Sequence, residues 1–414
     1  MKIIHLNHSD INGGAARAAY RIHHAVRQHG MDSRMWVDNA SAGDWTVEGP
    51  QTKWRKGFNK LRPALGGVLT RTLKTGNPII HSPSILPSRW RGRLNASDAD
   101  VIHLHWINGE MISIADIAQI RKPVVWTLHD MWAFCGAEHV TEDFRWREGY
   151  TTRNRPAYES GFDLNRWVWR RKRKAWRRPM HIVTPSRWLA ECAQQSVLMH
   201  GWPVSVIPNA IDTEIWRPIE KSVARGLMGL PADSHILLFG TFGANAAPHK
   251  GFDLLRSALA HLHGQVEGLQ LVVFGQLAPS DPVDFGFPVH YAGHLHDDLS
   301  LRVLYSAADA IVVPSRQESF GQTASEALAC GTPVVAFGAT GLLDVVRHQQ
   351  TGYLAKPYDA EDLAQGVRWI LADSERHARL CVDARDDAVS RFSYPVVARQ
   401  YRAVYEAAIE SARG

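Results

Sequence analysis

The sequence predicts an α/β protein of two doubly wound domains, each built on a parallel sheet. Three observations carry this expectation. At 414 residues the chain is too long for one typical core and long enough for two domains. Short apolar runs alternate with helical patterns in two successive series, the pattern of strand-helix-strand units. Between the series, VSVIPNAIDTEIWRP (204–218) breaks regular structure with its prolines and Asn209.

The first series opens with KIIHL (2–6), a short apolar strand. GGAARAAYRIHHAVRQHG follows, where Ala16, Ala19, Tyr20 and His23 recur at helical spacing and Gly30 closes the segment. SRMWV (33–37) is the next strand, and ADVIHLHW (99–106), PVVWTLHD (123–130) and HIVTPS (181–186) are further β-rich runs bounded by turn residues. The second series reads HILLFG (235–240), LQLVVFG (269–275), VHYAG (289–293), DAIVVPS (309–315) and TPVVAF (332–337), around helical stretches such as 251–263. An aromatic-bearing amphipathic helix, FSYPVVARQYRAVYEAAI, comes after the second sheet. The expected organisation is a first domain at 1–214, a second at 215–390 and a terminal helix at 391–414. Two such domains facing one another bind ligand at the carboxyl ends of their strands, so functional residues are expected just after strands.

With 45% hydrophobic and 21% charged residues, the composition is that of a soluble globular chain. Cys135, Cys192, Cys330 and Cys381 form no C-x-x-C pair, which argues against a zinc ribbon or a secreted disulfide framework and fits a reducing cytoplasm. The N-terminal apolar run is too short for a signal peptide and no 18-residue apolar span occurs, so neither export nor a membrane span is expected.

The net charge of +6 is unevenly spread. RWVWRRKRKAWRR (166–178) holds eight basic residues and three tryptophans, and KWRKGFNKLRPALGGVLTRTLK (53–74) is similar in kind. Such runs fit a solvated or partly packed helix, an anionic membrane surface or nucleic acid. Tryptophan beside a basic face suits a membrane interface, which makes Arg166, Trp167, Trp169, Arg170, Arg171, Lys172, Arg173, Lys174 and Trp176 candidates for acceptor or membrane contact. No nucleic-acid fold motif accompanies the charges, and no nucleic-acid partner is expected.

Gly13 and Gly14 follow the first strand and open a helix, which fits either a backbone approach to a phosphate or a plain tight turn. His129 ends a strand and fits either a cleft residue or a structural histidine. His103 and His105 share a strand face but lack a third ligand nearby, so no metal is expected. Lys250 follows HILLFG through a small-residue loop, where it can act as a point charge against a diphosphate or remain an exposed loop lysine. In ESFGQTASE (318–326), Glu318 precedes a helix and Glu326 lies about one turn into it. The helix N-terminus between them suits an anion, and the two carboxylates can accept from hydroxyls on either side. A nucleotide sugar has that order of groups: sugar hydroxyls, two phosphates, ribose hydroxyls.

PSRQESFGQTASEALACGTPVVAF resembles the donor-site signature of retaining glycosyltransferases of family 4, which have the two-domain GT-B fold. GGAARAAYRIH, VIHLHWINGEMISI, WTLHDMWAFCGAEH, IVTPSRWL, VIPNAIDTEIWRP, HKGFDLL and GYLAKPYDAEDLA resemble successive segments of that family, especially of members that build bacterial exopolysaccharides and O-antigens. The likeness covers nearly the whole chain. It implies that the second domain holds the nucleotide sugar, the first holds the acceptor, and the last helix crosses back to the first.

Carried over by the resemblance, Glu318 hydrogen-bonds donor-sugar hydroxyls and Glu326 the ribose. The backbone of Ser319, Phe320 and Gly321 lines the sugar and phosphates, Gly243 belongs to the donor-binding loop, and Lys250 neutralises the diphosphate. His129 sits beside the transferred sugar, while Gly13 and Gly14 approach the phosphate from the other domain. Many relatives carry an arginine several residues before the loop lysine, but this loop reads GANAAPHK, which leaves neutralisation to Lys250 with help from His249. The implied chemistry is front-side attack with retention of configuration, with no metal or bound cofactor.

The expected function is transfer of a hexose from a UDP- or GDP-sugar to a glycan acceptor, lipid-linked or polymeric, in bacterial surface polysaccharide biosynthesis. The expected location is the cytoplasm, with peripheral contact to the inner face of the plasma membrane. A GT-B-fold sugar-nucleotide epimerase or phosphorylase is the alternative within enzymes, and a basic binding protein the alternative outside them.

Overall fold

A computed structural model describes residues 1–240, 248–281 and 283–413. The chain divides into two compact units, Met1–Ala210 with Val397–Gly414, and Ile211–Val396. In the first, the strands are β1 (Lys2–Ser9), β2 (Asp32–Asn39), β3 (Val47–Glu48), β4 (Leu73–Thr75), β5 (Val101–Leu104), β6 (Val124–Thr127), β7 (Glu159–Gly161), β8 (His181–Thr184) and β9 (Val204–Val206). Seven of them form one parallel sheet in the order β3-β2-β1-β5-β6-β8-β9, and β4 pairs antiparallel with β7.

Strand alternation gives this sheet two unlike faces. Ile4 and Leu6 join Ile102, Leu104, Trp126 and Ile182 in a large apolar core. The residues between them point the other way and form a buried polar layer. There His103 bonds the Tyr405 hydroxyl at 2.8 Å and the Thr127 hydroxyl at 2.7 Å, and Thr127 meets the Tyr401 hydroxyl at 3.0 Å. His23, on the helix Gly14–Gln28, is held by Ser33 at 2.7 Å and Thr46 at 2.8 Å. Each buried imidazole nitrogen of His103 and His23 is thus partnered, as burial of a polar ring requires. Tyr401 and Tyr405 belong to the helix Tyr394–Ser411, whose residues from Val397 onward complete this first unit.

The second unit carries β10 (His235–Gly240), β11 (Leu269–Phe274), β12 (Val289–Gly293), β13 (Ala310–Val313), β14 (Val334–Phe337) and β15 (Gly352–Ala355). They form a parallel sheet in the order β12-β11-β10-β13-β14-β15. Its strands other than the half-buried edge strand β12 are buried on both faces, which is why they read as apolar runs. The short edge strands β3, β9 and β15 and the β4–β7 pair add to the runs read from the sequence.

The basic stretch at 166–178 is a partly packed helix face, one of the expected readings, with some of its candidate residues turned inward. It forms the helix Leu164–Ala175, capped by Asp163, which accepts from the Arg166 amide at 3.0 Å. Trp169 and Trp176 are buried, and the Trp176 indole donates to the Ile114 carbonyl at 3.1 Å. Lys172 is fully buried: its ammonium donates to the carbonyls of Trp132, Cys135 and Gly136 and lies 3.7 Å from the Trp132 ring centroid. Three carbonyls and an aromatic face replace water around that charge, and large indoles gain most from burial. Trp169, Lys172 and Trp176 are therefore removed from the candidate membrane surface. Arg170, Arg173 and Lys174 remain exposed, and Arg166, Trp167 and Arg171 are half-buried. Among the described residues no helix is long and apolar enough to cross a membrane.

Candidate active site

In the second unit, the loop after β13 and the segment before the helix Phe252–Leu262 meet. Gly251 makes this possible: it has φ +68°, and a Cβ on it would lie 1.9 Å from the Pro314 carbonyl oxygen. Arg316 clamps the two segments. Its guanidinium donates to both carboxylate oxygens of Asp253, at 2.8 and 2.6 Å, and to the Pro248 carbonyl, while its amide donates to the His249 carbonyl at 2.7 Å.

This clamp sets Lys250 Nζ 2.6 Å from Glu318 Oε1. The same oxygen accepts from the Ser315 hydroxyl at 2.9 Å. Burial would push the Glu318 carboxyl up, but the Lys250 charge and these two hydrogen bonds prevail and hold it below the usual carboxylate range. The Glu318 backbone is fixed as well, its amide donating to Thr340 Oγ1 at 3.0 Å and its carbonyl accepting from the Gly341 amide at 2.9 Å. Lys250 stays half exposed, so its charge remains available to a ligand. His249 is different: burial, with the Lys250 charge beside it, lowers its pKa, so at neutral pH it offers a neutral ring rather than a second cation.

Ser319 and the buried Phe320 lead to Gly321, which starts the helix Gln322–Ala329 at φ +104°. Gln322 Nε2 is buried without a hydrogen-bond partner among the described residues, a donor near the helix N-terminus that suits an anionic ligand. Glu326 is buried on the same helix, where Oε2 accepts from the Tyr305 hydroxyl at 3.1 Å. The structure thus brings Lys250 and Glu318 into direct contact and gives Glu326 a separate partner. Gly243 lies outside the described residues.

In the first unit, Gly13 has φ +99° and precedes the helix opened by Gly14; a Cβ on Gly13 would meet nothing within 4 Å. The turn before it is pinned by buried Asp10, which accepts from the amides of Ile11, Ser41 and Ala42. His129 stands two residues beyond β6. Its neighbour Asp130 fixes the loop, accepting from the Trp106 indole at 3.0 Å, the Trp132 amide at 2.9 Å and His139 Nδ1 at 2.7 Å. Burial pushes His129 down to about 4, so it is neutral at pH 7. Its Nε2 lies 3.1 Å from Nδ1 of His105.

Sequence reasoning passed over Arg316, Thr340, Asp130 and His5. Arg316 stands inside the quoted PSRQESFG, and its role lies in a partner 63 positions away. His5, His103 and His105 come close enough for a metal, yet both nitrogens of His103 already bond hydroxyls. The sequence also spells Asp98-Ala99-Asp100, a D-x-D spacing, but Asp98 pairs with the Lys2 ammonium at 2.6 Å and Asp100 accepts from the Lys2 amide at 2.7 Å.

Comparison with known proteins gives one family over both units. A sequence model described as Glycosyltransferase Family 4 matches residues 12–215, and one described as Glycosyl transferases group 1 matches 239–387. D-inositol 3-phosphate glycosyltransferase 1 of Catenulispora acidiphila is 30% identical over 376 residues, covering 84% of this chain and 83% of that one. Among solved structures, sucrose-phosphate synthase from Thermosynechococcus elongatus superposes with a TM-score of 0.68 at 19% identity, covering 99% and 100% of the two chains. Anabaena Alr3699/HepE in complex with UDP-glucose superposes with a TM-score of 0.64 at 19% identity, covering 98% and 100%. The fold is GT-B.

Proposed function

This chain belongs to glycosyltransferase family 4, and from that premise we propose that it moves a hexose from UDP-hexose to a lipid-linked glycan at an anionic membrane surface, in bacterial surface polysaccharide biosynthesis, with retention of configuration. The observation that carries the donor part is the Lys250–Glu318 pair, a half-exposed cation touching a partly buried carboxylate after two strand ends. A nucleoside diphosphate sugar divides the pair between its groups, phosphate to Lys250 and sugar hydroxyls to Glu318. UDP is favoured over GDP because a similar fold, Alr3699/HepE, is described with UDP-glucose.

In the proposed reaction the acceptor hydroxyl attacks the anomeric carbon on the face the diphosphate leaves. The new bond is carbon to acceptor oxygen, the broken one is carbon to phosphate oxygen, and the acceptor proton passes to that phosphate oxygen. Lys250 and the N–H groups opening the helix Gln322–Ala329 stabilise its charge, in a reaction needing no metal or bound cofactor.

The membrane part now rests on the helix Lys53–Thr70 instead of 166–178. Trp54, Phe58, Leu61, Leu65 and Val68 stand on it at spacings of four, three, four and three, all exposed, Trp54 by 82%. Lys53, Arg55, Lys56 and Lys60 are exposed beside them. An apolar stripe with basic flanks is the chemistry of an interfacial helix. A second reading, a phosphorylated cyclitol as acceptor, is favoured by the name of the Catenulispora relative.

The test is transfer from labelled UDP- and GDP-hexoses to a bacterial lipid extract and to D-inositol 3-phosphate, with chelator throughout. Product in the lipid fraction, lost by about 100-fold in Lys250→Met, supports the proposal. Product only on D-inositol 3-phosphate replaces the acceptor, and turnover of the donor with no acceptor replaces the reaction class. Flotation with anionic vesicles at low salt checks the surface; a protein that stays in solution refutes it.

A further inference from the structure

His5, His105 and His129 form a connected line across β1, β5 and the end of β6. His5 Nδ1 lies 2.9 Å from His105 Nε2, and His105 Nδ1 lies 3.1 Å from His129 Nε2. The rings of each linked pair are near parallel, at 13° and 22°, with centroids 5.2 and 5.4 Å apart, the edge-to-edge arrangement that an in-plane N–H bond between them needs. Burial holds all three neutral, so each ring carries one proton.

A line of neutral rings joined this way has two proton patterns that keep both hydrogen bonds. In one, every ring is protonated at Nδ1 and donates toward His129. In the other, every ring is protonated at Nε2 and donates toward His5. The far end separates them. His5 Nε2 is buried with no hydrogen-bond partner among the described residues. The first pattern leaves a bare lone pair there, whereas the second buries an N–H donor that nothing accepts, and orphaned buried donors are the rarer and more costly of the two. At the other end, Nδ1 of half-buried His129 makes no hydrogen bond among the described residues and is left to a ligand.

We propose that His5 and His105 are positioning residues that fix His129 as the Nδ1–H tautomer, so that it presents a donor to an oxygen of a ligand bound beyond the end of β6. That final contact rests on the functional reading above, whereas the tautomer does not. A ligand oxygen with an available lone pair is accepted at His129, and a group offering only a donor there is refused. Neither His5 nor His105 touches the ligand; each acts through the next ring.

The test is the long-range proton–nitrogen spectrum of the full chain labelled with nitrogen-15 histidine, at pH 7.5, with His129 assigned by the signals missing from His129→Asn. Protonated Nδ1 and bare Nε2 at His129 are expected; protonated Nε2 overturns the proposal. His105→Leu removes the donor to His129, and His105→Asn supplies an amide N–H near the same place. The Leu variant is expected to lose the tautomer and about 10- to 100-fold of kcat, with donor KM changed less than about threefold, and the Asn variant to recover both. Leu and Asn variants with the same His129 tautomer refute the relay. If His105→Leu does not fold, the wild-type spectrum decides alone. An Nδ1–H His129 in a chain that transfers no sugar leaves the tautomer standing and sinks the functional reading instead.

Discussion

Acidification should loosen the first unit through its buried histidines. His23 and His129 have native pKa values of about 3 and about 4, lowered by burial, against an ordinary 6.5. The unfolded chain therefore takes up protons first: the stability these groups lend is complete above pH 6.5 and is lost as pH falls toward their native values. Between pH 7.5 and 5 each loses roughly 2 kcal/mol. Asp38 works the other way. Burial raises it to about 6, so the native state binds its proton first and offsets about 1.4 kcal/mol over the same interval. Glu138, also raised by burial, opposes the loss, while His5, His103 and His105 reinforce it.

The expected net is a fall of at least about 2 kcal/mol from pH 7.5 to 5. Urea unfolding followed by tryptophan fluorescence measures it, because every tryptophan except Trp216 and Trp369 lies in the first unit. In His23→Gln the slope of stability with pH should fall by about 1.2 kcal/mol per pH unit near pH 5.5, which is one histidine proton. Equal or greater stability at pH 5 with an unchanged urea slope would refute a polar layer of neutral histidines.

Three further outcomes are expected. Lys172→Met leaves the Trp132, Cys135 and Gly136 carbonyls without their donor and should cost about 3–5 kcal/mol in the same assay; a change under about 1 kcal/mol contradicts the buried-charge account. Gly251→Ala drives a methyl into the Pro314 carbonyl at a left-handed φ, so the second unit should lose about 2 kcal/mol or more in calorimetry, with donor KM rising as Lys250 is displaced. Tyr405→Phe removes one hydroxyl from His103 and should lower stability by about 1–2 kcal/mol, with no effect on nucleotide binding by titration calorimetry.

The rule that ligands gather after parallel strands singled out Lys250, Glu318 and His129 from the sequence, because β10, β13 and β6 are apolar runs that end in recognisable turn residues. The edge strands β3, β9 and β15 escaped it: two to four residues beside turn-rich segments show no periodicity of their own. Lys172 was misjudged for a different reason. A charge run is read from neighbours in sequence, while its burial is decided by carbonyls 36–40 positions away. His105 was legible as one of a strand pair, but its link to His5 needs β1 beside β5, an adjacency that no single strand announces. Arg316 fails likewise, since the carboxylate it grips lies on the far side of β11 and β12 in the chain.

The first unit is closed by residues made long after the rest of it. On a ribosome β5 and β6 emerge with their polar face uncovered, and His103 and Thr127 have only each other and water until Tyr405 and Tyr401 are synthesised. The second unit is contiguous and needs nothing downstream of Val396. Birth order and completion order are therefore inverted: the sheet translated first is finished last, and a released chain cut before Val397 keeps the whole C-terminal unit beside an N-terminal sheet still missing its cover.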